Sequence, residues 1–366
     1  MPDTSTRPEF WTSMRSLPGR VSAGARQAED EGWDGLCFTD SQNLSGDPYV
    51  AMATAAAATE RIRLGTGVTN PRTRHAAVTA GAIACVQVES GGRAELGIGR
   101  GDSSLAHIGM APVPPAVFED YVHRVQRYLR GDAVELTGSP SSGAGDSSAT
   151  SDRAVRSALV VADAPAESRL RWLAECGATK VPVFVVASGP KMIATAARVG
   201  DRVALALGAD PDRLRWGVEA ARAERPDARI AAYVHVVPHD DVAAATRLAA
   251  GGIASFARFS AMHGKVAAPA GESDREVMAS VAAAYQLTHH FQGSGGQAAL
   301  ITPEFAQRFA VIGAVDECVR KLRELASLGI DRFYVSTAAR DAPPAAAREV
   351  HDRFVRDVLP QLRSGA

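Results

Sequence analysis

Lysine is nearly missing from this chain. Its 40 basic side chains include lysine only at Lys180, Lys191, Lys265 and Lys321, and 41 acidic ones balance them to a formal net charge of −1. A chain so balanced has no long-range field to gather nucleic acid or an anionic membrane surface, so any anion must be caught by local geometry. The arginine bias itself reads as GC-rich codon usage rather than as a built arginine surface. Cysteine is scarce as well: Cys37, Cys85, Cys176 and Cys318 are widely spaced, form no CxxC pair and have no clustered histidines beside them. That excludes a disulfide framework and predicts reduced thiols. No apolar run approaches the roughly 20 residues of a membrane span, and MPDTSTRPEF lacks the charged-then-apolar pattern of a secretory signal. The expected location is the cytoplasm, and the expected partner is a small molecule, not nucleic acid or membrane.

Several motifs are missing too. There is no HExxH, no GxSxG elbow and no Walker sequence, and GIGRGD lacks the spacing of a dinucleotide fingerprint. Asp102, His107 and His123 are not spaced as ligands on one helical face. His289 and His290 are adjacent, so a helix aims them about 100° apart rather than jointly at one ion. No metal site is expected, and hydrolysis finds no support. Aromatic residues are only 6% of the chain, which leaves few pocket walls to choose from. Trp11, Phe259, Tyr285 and Phe291 are the candidates, and core packing is the ordinary role of each.

What is present is alternation. Short apolar runs at 10–14, 35–40, 62–68, 94–100, 181–188, 202–207, 228–237 and 332–336 read as strands. Helical stretches separate them at 18–31, 48–59, 75–89, 114–130, 190–199, 211–224, 314–328 and 344–361. Eight strands each followed by a helix is the arithmetic of an α/β fold, a (β/α)₈ TIM barrel, in a single domain spanning residues 1–366. A doubly wound open sheet is the alternative. Two insertions interrupt the pattern. Residues 138–152, GSPSSGAGDSSATSD, read as a flexible loop too polar and glycine-rich to pack. Residues 239–309 read as a helical insertion between strands 7 and 8, with helices at 240–263 and 274–291, placed on the face where a barrel builds its site.

The strand ends carry the chemistry. They read Asp40-Ser41-Gln42, Gly67-Val68-Thr69-Asn70, Gly99-Arg100-Gly101-Asp102-Ser103, Ser188-Gly189-Pro190-Lys191 and Gly208-Ala209-Asp210. Turn chemistry explains any one of them; five small or polar ends feeding from apolar strands point to one ligand-binding rim. Ser188 and Gly189 precede Pro190 at the start of a helix, where main-chain amides and the dipole suit a phosphate, with Lys191 as added charge. An ordinary capped helix explains that piece equally well.

With LGTGVTNPRTRH, SGGRAELGIGRGDSSL and VVASGPKMIATAARVGDRVAL in register, the chain resembles the bacterial luciferase-like superfamily. Within it, the resemblance is to the coenzyme F420-dependent branch of methylenetetrahydromethanopterin reductase-like enzymes. It covers roughly residues 8–237 and 300–360. It implies a cis peptide at Gly67-Val68 in a bulge that props the central ring of a flavin or deazaflavin, with Thr69 and Asn70 at the ring edge. It further implies Asp40 beside the ring, with Ser41 where related dehydrogenases often carry histidine, and Ser188, Gly189 and Gly208 on the phosphate side. Gly99, Arg100, Gly101 and Ser103 flank the cofactor, and Asp102, or His107 five residues on, handles a proton. GVTNP and the aspartate of GRGD favour F420; Arg100 permits FMN.

The expected activity is hydride transfer between F420 and an imine, activated alkene or carbonyl carbon. The alternative is an FMN-dependent monooxygenase fed by a partner flavin reductase. Oxygen consumption separates them, because a deazaflavin carries carbon at the position where a flavin forms its peroxide. A non-catalytic flavin-binding barrel and a sugar-phosphate barrel remain as further alternatives. Family habit implies a homodimer through the helices beside the second and third strands.

Overall fold

The structure, a computed structural model, describes residues 7–136, 167–262 and 264–364. Eight parallel strands form its centre: β1 (Glu9–Arg15), β2 (Gly35–Thr39), β3 (Arg63–Thr66), β4 (Ala94–Ile98), β5 (Val183–Ala187), β6 (Arg202–Leu205), β7 (Ile230–Pro238) and β8 (Ile330–Ser336). Each pairs with the next, β8 pairs with both β1 and β7, and the sheet closes into a barrel. The intervening helices are α1 (Val21–Asp30), α2 (Pro48–Ala56), α3 (Ala76–Glu89), α4 (Pro115–Leu129), α5 (Pro190–Val199) and α6 (Pro211–Glu224). The insertion supplies α7 (Val242–Ala261) and α8 (Glu272–Ala283), and α9 (Val315–Ser327) and α10 (Pro344–Arg353) complete the ring. No helix among the described residues is long and apolar enough to cross a membrane.

Local chemistry sets most boundaries. Asp47, Asp210 and Asp241 accept hydrogen bonds from the amides two and three residues on and so start α2, α6 and α7, the first two with proline next in line. The expected strand at 62–68 stops at Thr66, where the ladder gives way to a bulge. The expected helix at 274–291 stops at Ala283. Beyond it the buried Gln297 side chain donates to the carbonyls of Gln286 (3.3 Å) and His289 (3.1 Å), drawing that backbone into a separate turn. The expected helix at 344–361 is broken by a π turn at Phe354–Val358. Three short strands among the described residues escaped the sequence pattern: Val134–Glu135 and Glu167–Ser168, which pair antiparallel with each other, and Val311–Gly313, which pairs with β7 at Val236–Pro238, beyond the reach of the shorter β6. The 138–152 loop lies outside the described residues.

The barrel interior is layered. Trp11, Cys37, Phe184, Ala204, Ala231 and Tyr334 fill its waist, with Tyr334 stacked on Phe184 (5.0 Å) and Tyr233 (4.5 Å). Trp11 is therefore core, not pocket wall. Two residues earlier on the same strands, and so on the same inward face, the buried Arg332 guanidinium pairs with Glu95 (2.5 and 3.1 Å) and Glu9 (2.6 Å) and lies 4.2 Å over the Trp11 ring. Glycine makes room for the large rings: a Cβ at Gly35 would lie 2.5 Å from Trp11 Cε3, and one at Gly65 3.1 Å from Trp11 Cζ3. One of the two glycines of LGTGV is thus explained by packing alone.

The closing helix is fastened by a pH-dependent contact. His351 meets Glu31 at 2.9 Å, and that bond raises the imidazole pKa above its usual 6.5 despite partial burial. Glu31 is lowered: burial opposes ionisation, but the bonds from His351, Gln27 and Trp33 outweigh it. A raised folded-state histidine pKa contributes stability that is complete below about pH 6.5 and is lost as pH rises through the folded value. Thermal melts should therefore place wild type about 1–2 °C above His351→Gln at pH 6, with the charge-dependent part of the gap gone by pH 9. A gap that widens with pH would contradict the assignment.

Candidate active site

The site is built at the C-terminal ends of the strands. After Thr66, β3 leaves its ladder, and the Thr66 hydroxyl takes over, donating to the Gly97 carbonyl (2.7 Å) and accepting from the Gly97 amide (2.9 Å). Regular pairing resumes at Thr69, whose amide donates to the Gly97 carbonyl (2.9 Å) and whose carbonyl accepts from Gly99 (3.0 Å). Gly67 and Val68 are looped out between, joined by a cis peptide bond. Val68 packs onto the barrel cluster of Trp11, Phe184 and Tyr334, while a Cβ at Gly67 would fall 2.8 Å from that of Cys37.

Asp40 fixes this bulge from the side. Its buried carboxylate accepts from Thr69 Oγ1 (2.7 Å), Arg74 Nη1 (3.1 Å) and Gln42 Nε2 (2.7 Å). Burial raises its pKa above the ordinary aspartate value, and the Thr69 and Arg74 contacts work against that rise. Arg74 also binds Asp47 (2.5 Å) and lies 4.9 Å over the Tyr49 ring. The Thr69 hydroxyl is thus committed to Asp40. Asn70 is different: its Oδ1 accepts from the amides of Arg72 (3.0 Å) and Thr73 (3.2 Å), whereas its Nδ2 is buried without a partner. Ser41 takes part through its backbone, its carbonyl accepting from Ser45 in a tight turn.

The β4 end follows. Gly101 has φ +80°, and a Cβ there would press on the Leu105 side chain and lie 3.3 Å from Asn70 Cβ, so glycine is required by both backbone and space. Arg100 turns its Nε to the Val113 carbonyl (2.6 Å). Both Asp102 oxygens are clasped by the guanidinium of Arg258, from α7. Ser103 Oγ meets His290 Nε2 at 3.1 Å, His290 Nδ1 meets Tyr285 Oη, and Tyr285 Oη meets Ser255 Oγ at 3.0 Å. Arg258 lies 4.6 Å over the Tyr285 ring. Burial lowers the His290 pKa to about 4 and raises that of Tyr285. His107 ends the short helix Ser103–Ala106, its Nε2 buried and unpartnered.

On the far rim, α5 begins at Gly189 with no side chain capping it, unlike α2, α6 and α7. Ser188 and Gly189 are half-buried, Pro190 and Lys191 exposed, and a Cβ on Gly189 would meet nothing within 4 Å. Gly208 (φ +81°) abuts Phe309 of the insertion; a Cβ there would lie 2.8 Å from that ring. Arg213, buried at the start of α6, binds the Leu207 carbonyl (3.0 Å), Ser260 Oγ (2.7 Å) and the Pro269 carbonyl (3.1 Å), and burial lowers its pKa to about 10. The insertion is thereby tied to the ends of β4 and β6.

The candidates fall into neighbouring groups along consecutive strands: Asp40 with Thr69, Asn70 against Gly101, Asp102 and Ser103 against the insertion, then Ser188 and Gly189, then Gly208. Arg258, Tyr285, His290 and Arg213 complete these groups and were not assigned chemistry by sequence reasoning. Only Tyr285 left a signal, as an aromatic candidate for a wall. Among the described residues no three His, Cys, Asp or Glu side chains converge as metal ligands.

The luciferase-like monooxygenase family model matches residues 7–332. The chain is 26% identical over 327 residues to the 5,10-methylenetetrahydromethanopterin reductase of Methanolobus tindarius, covering 86% of this chain and 89% of that protein. It is similar in fold to the coenzyme F420-dependent tetrahydromethanopterin reductase of Methanopyrus kandleri, with TM-score 0.68 and 21% identity over 98% of this chain and 100% of that one. It is also similar to an FMN-bound type II Baeyer–Villiger monooxygenase of Pseudomonas putida, with TM-score 0.61 and 16% identity over 97% and 99% of the two chains.

Proposed function

The chain belongs to the luciferase-like monooxygenase family, and on that footing we propose that it is an F420-dependent oxidoreductase, moving a hydride between the deazaflavin and an imine, activated alkene or carbonyl carbon of a small molecule. The observation that carries the ring-binding core of this reading is the Asn70 amide, a donor buried beside the Gly67-Val68 bulge with no protein acceptor, and the likeness to the methanopterin and coenzyme F420-dependent reductases favours deazaflavin over flavin. Buried donors are nearly always satisfied, and a ring carbonyl satisfies this one. The residues present fit such a group: an apolar Val68 shelf packed on the barrel cluster and an uncapped helix start for a phosphate.

Bound F420 supplies a ring carbon that gives or accepts hydride. Gly67, Val68 and Asn70 support its ring, Asp40 holds Thr69 and the bulge in place, and Gly99, Arg100, Gly101 and Ser103 border it. Ser188, Gly189, Pro190, Lys191 and Gly208 take the phosphate side. Ser41, Asp102 and His107 line the substrate side, where the insertion excludes water. Arg100 keeps FMN as the second reading, since its guanidinium stands at the rim and suits a flavin phosphate; that enzyme needs reduced flavin from a reductase partner.

Parallel titrations against F420 and FMN, followed by quenching of ligand fluorescence, test the reading. Micromolar affinity for F420 and a far weaker one for FMN support it. Preference for FMN with substrate-dependent oxygen uptake moves the assignment to the monooxygenase, and binding of neither sinks both.

A cytoplasmic homodimer is part of the same proposal. α2 and α3 carry few polar side chains, and Val50 and Val78 stand 67% and 57% exposed on them. A helix pair without a polar face is expected to be covered. Light scattering should give a dimer for wild type and a folded monomer for Val50→Glu/Val78→Glu; a monomeric wild type refutes the dimer.

A further inference from the structure

Resting on the hydride-transfer reading, we propose that Ser103, His290 and Tyr285 form a proton relay, with Ser103 facing the substrate and the other two acting through it. Asp102 is the carboxylate at this strand end, but Arg258 occupies both its oxygens. The next side chain in the motif, Ser103, instead heads a continuous chain of hydrogen bonds: Ser103 Oγ to His290 Nε2 at 3.1 Å, then His290 Nδ1 to Tyr285 Oη. Ser103 stands two residues from Gly101, which packs against Asn70, so the chain ends beside the turn assigned to the cofactor ring.

The far end of the chain defines its direction. Ser255 donates to the Gly251 carbonyl (2.9 Å) and accepts from the Phe291 amide (3.2 Å), which anchors it as an acceptor for Tyr285. Two orders of protons then satisfy both imidazole nitrogens, and the second also places a proton between Tyr285 and Ser255. In one, Tyr285 donates to Nδ1, and Nε2–H donates to Ser103, whose hydroxyl proton points away from the network. In the other, Ser103 donates to Nε2, Nδ1–H donates to Tyr285, and Tyr285 donates to Ser255. Passage between them moves one proton along the chain without a charged imidazole at rest. Burial keeps His290 neutral down to about pH 4, with Asp102 favouring its charge and Arg258, Arg340 and His107 opposing it.

The step balances as follows. As hydride adds to the carbon of a C=O or C=N group, the Ser103 proton passes to the oxygen or nitrogen, which uses the electron pair of the broken π bond. Ser103 Oγ takes the Nε2 proton, and Nδ1 takes the phenol proton of Tyr285. The phenolate, 4.6 Å beneath the Arg258 guanidinium, is reprotonated from bulk solvent, which supplies the one proton the reduction consumes. One hydride and one proton are added; oxidation runs the steps backwards.

Nitrogen-15 spectra of histidine-labelled protein test the relay without turnover. Wild type should show a neutral His290 ring with both nitrogens hydrogen-bonded, and Tyr285→Phe should shift Nδ1 while leaving F420 affinity within about twofold. An Nδ1 resonance that ignores Tyr285→Phe overturns the relay. With reduced F420 under anaerobic conditions and a panel of imines and activated ketones, Tyr285→Phe, Ser103→Ala and His290→Gln should each lower the rate on the order of 100-fold, the two variants outside the cofactor rim, Tyr285→Phe and His290→Gln, at unchanged cofactor KM. His290→Gln keeps hydrogen bonds on both sides but passes no proton, and so guards against a merely structural loss. Wild-type rate and pH profile in these variants overturn the relay. A panel without any turnover in wild type counts against the hydride-transfer reading instead, and the spectra still decide the relay.

Discussion

Gly189→Asp should yield a folded protein that no longer holds its cofactor. The backbone at Gly189 is extended (φ −115°, ψ 158°), a conformation open to any residue, and a Cβ there meets nothing within 4 Å. Aspartate is moreover a preferred helix-capping residue, so the fold should change by no more than about 0.5 kcal/mol, and in the stabilising direction. Function should respond the opposite way. The new carboxylate occupies the first amides of α5 and sets a negative charge where the proposed phosphate must sit. Loss of those donors together with like-charge repulsion should weaken F420 binding on the order of 100-fold. The check is a fluorescence titration beside a thermal melt: an unchanged Kd at an unchanged Tm removes α5 from the phosphate site. Gly189→Ala is the control, since it adds a methyl without a charge and should bind within a few-fold of wild type.

How far such a site was legible in the sequence depended on how local its signals were. The helix starts were written into Asp47-Pro48, Gly189-Pro190 and Asp210-Pro211, because their causes lie within a few residues of their effects, whereas the bulge in LGTGVTNPRTRH, held by Gly97 and Asp40 about 30 positions away, was expected only through the resemblance. The partners that complete the site were not local. Arg258 reaches Asp102 across 156 positions, and His290 reaches Ser103 across 187. Nothing in the adjacent pair His289-His290 tells which ring turns inward, and the helix expected through 291 would have aimed them elsewhere. It is Gln297, folding the 286–290 backbone into a turn, that aims His290 at the barrel. The charged layer beneath the site did leave a mark, Glu95 alone among apolar residues in β4 and Arg332 beside Asp331 at the start of β8. Their pairing across the barrel required the closed sheet to be known first.

Gly97→Ala should prevent the barrel from forming at all. A Cβ at Gly97 would fall within 2.6 Å of Phe184 Cε2 and closer still to the Thr66 carbonyl oxygen. The first obstacle is a side chain; the second is backbone held by the Thr66–Gly97 hydrogen bonds that define the bulge. Ordinary overpacking costs about 1–3 kcal/mol because side chains yield, but here the sheet itself would have to open. A loss above about 4 kcal/mol is expected, a large part of the 5–15 kcal/mol that holds a typical native fold, and the variant should be recovered mainly as aggregate. Gly35→Ala offers the contrast, because the atoms nearest its added Cβ all belong to the Trp11 ring. Trimming that ring with Trp11→Leu should restore part of the soluble yield of Gly35→Ala. Trimming Phe184 to leucine should not restore Gly97→Ala, since the Thr66 carbonyl remains. Soluble yield and urea midpoints of the four variants decide it, and rescue of Gly97→Ala by Phe184→Leu would show that side-chain crowding, not the closed backbone under the cofactor shelf, is what glycine relieves at that position.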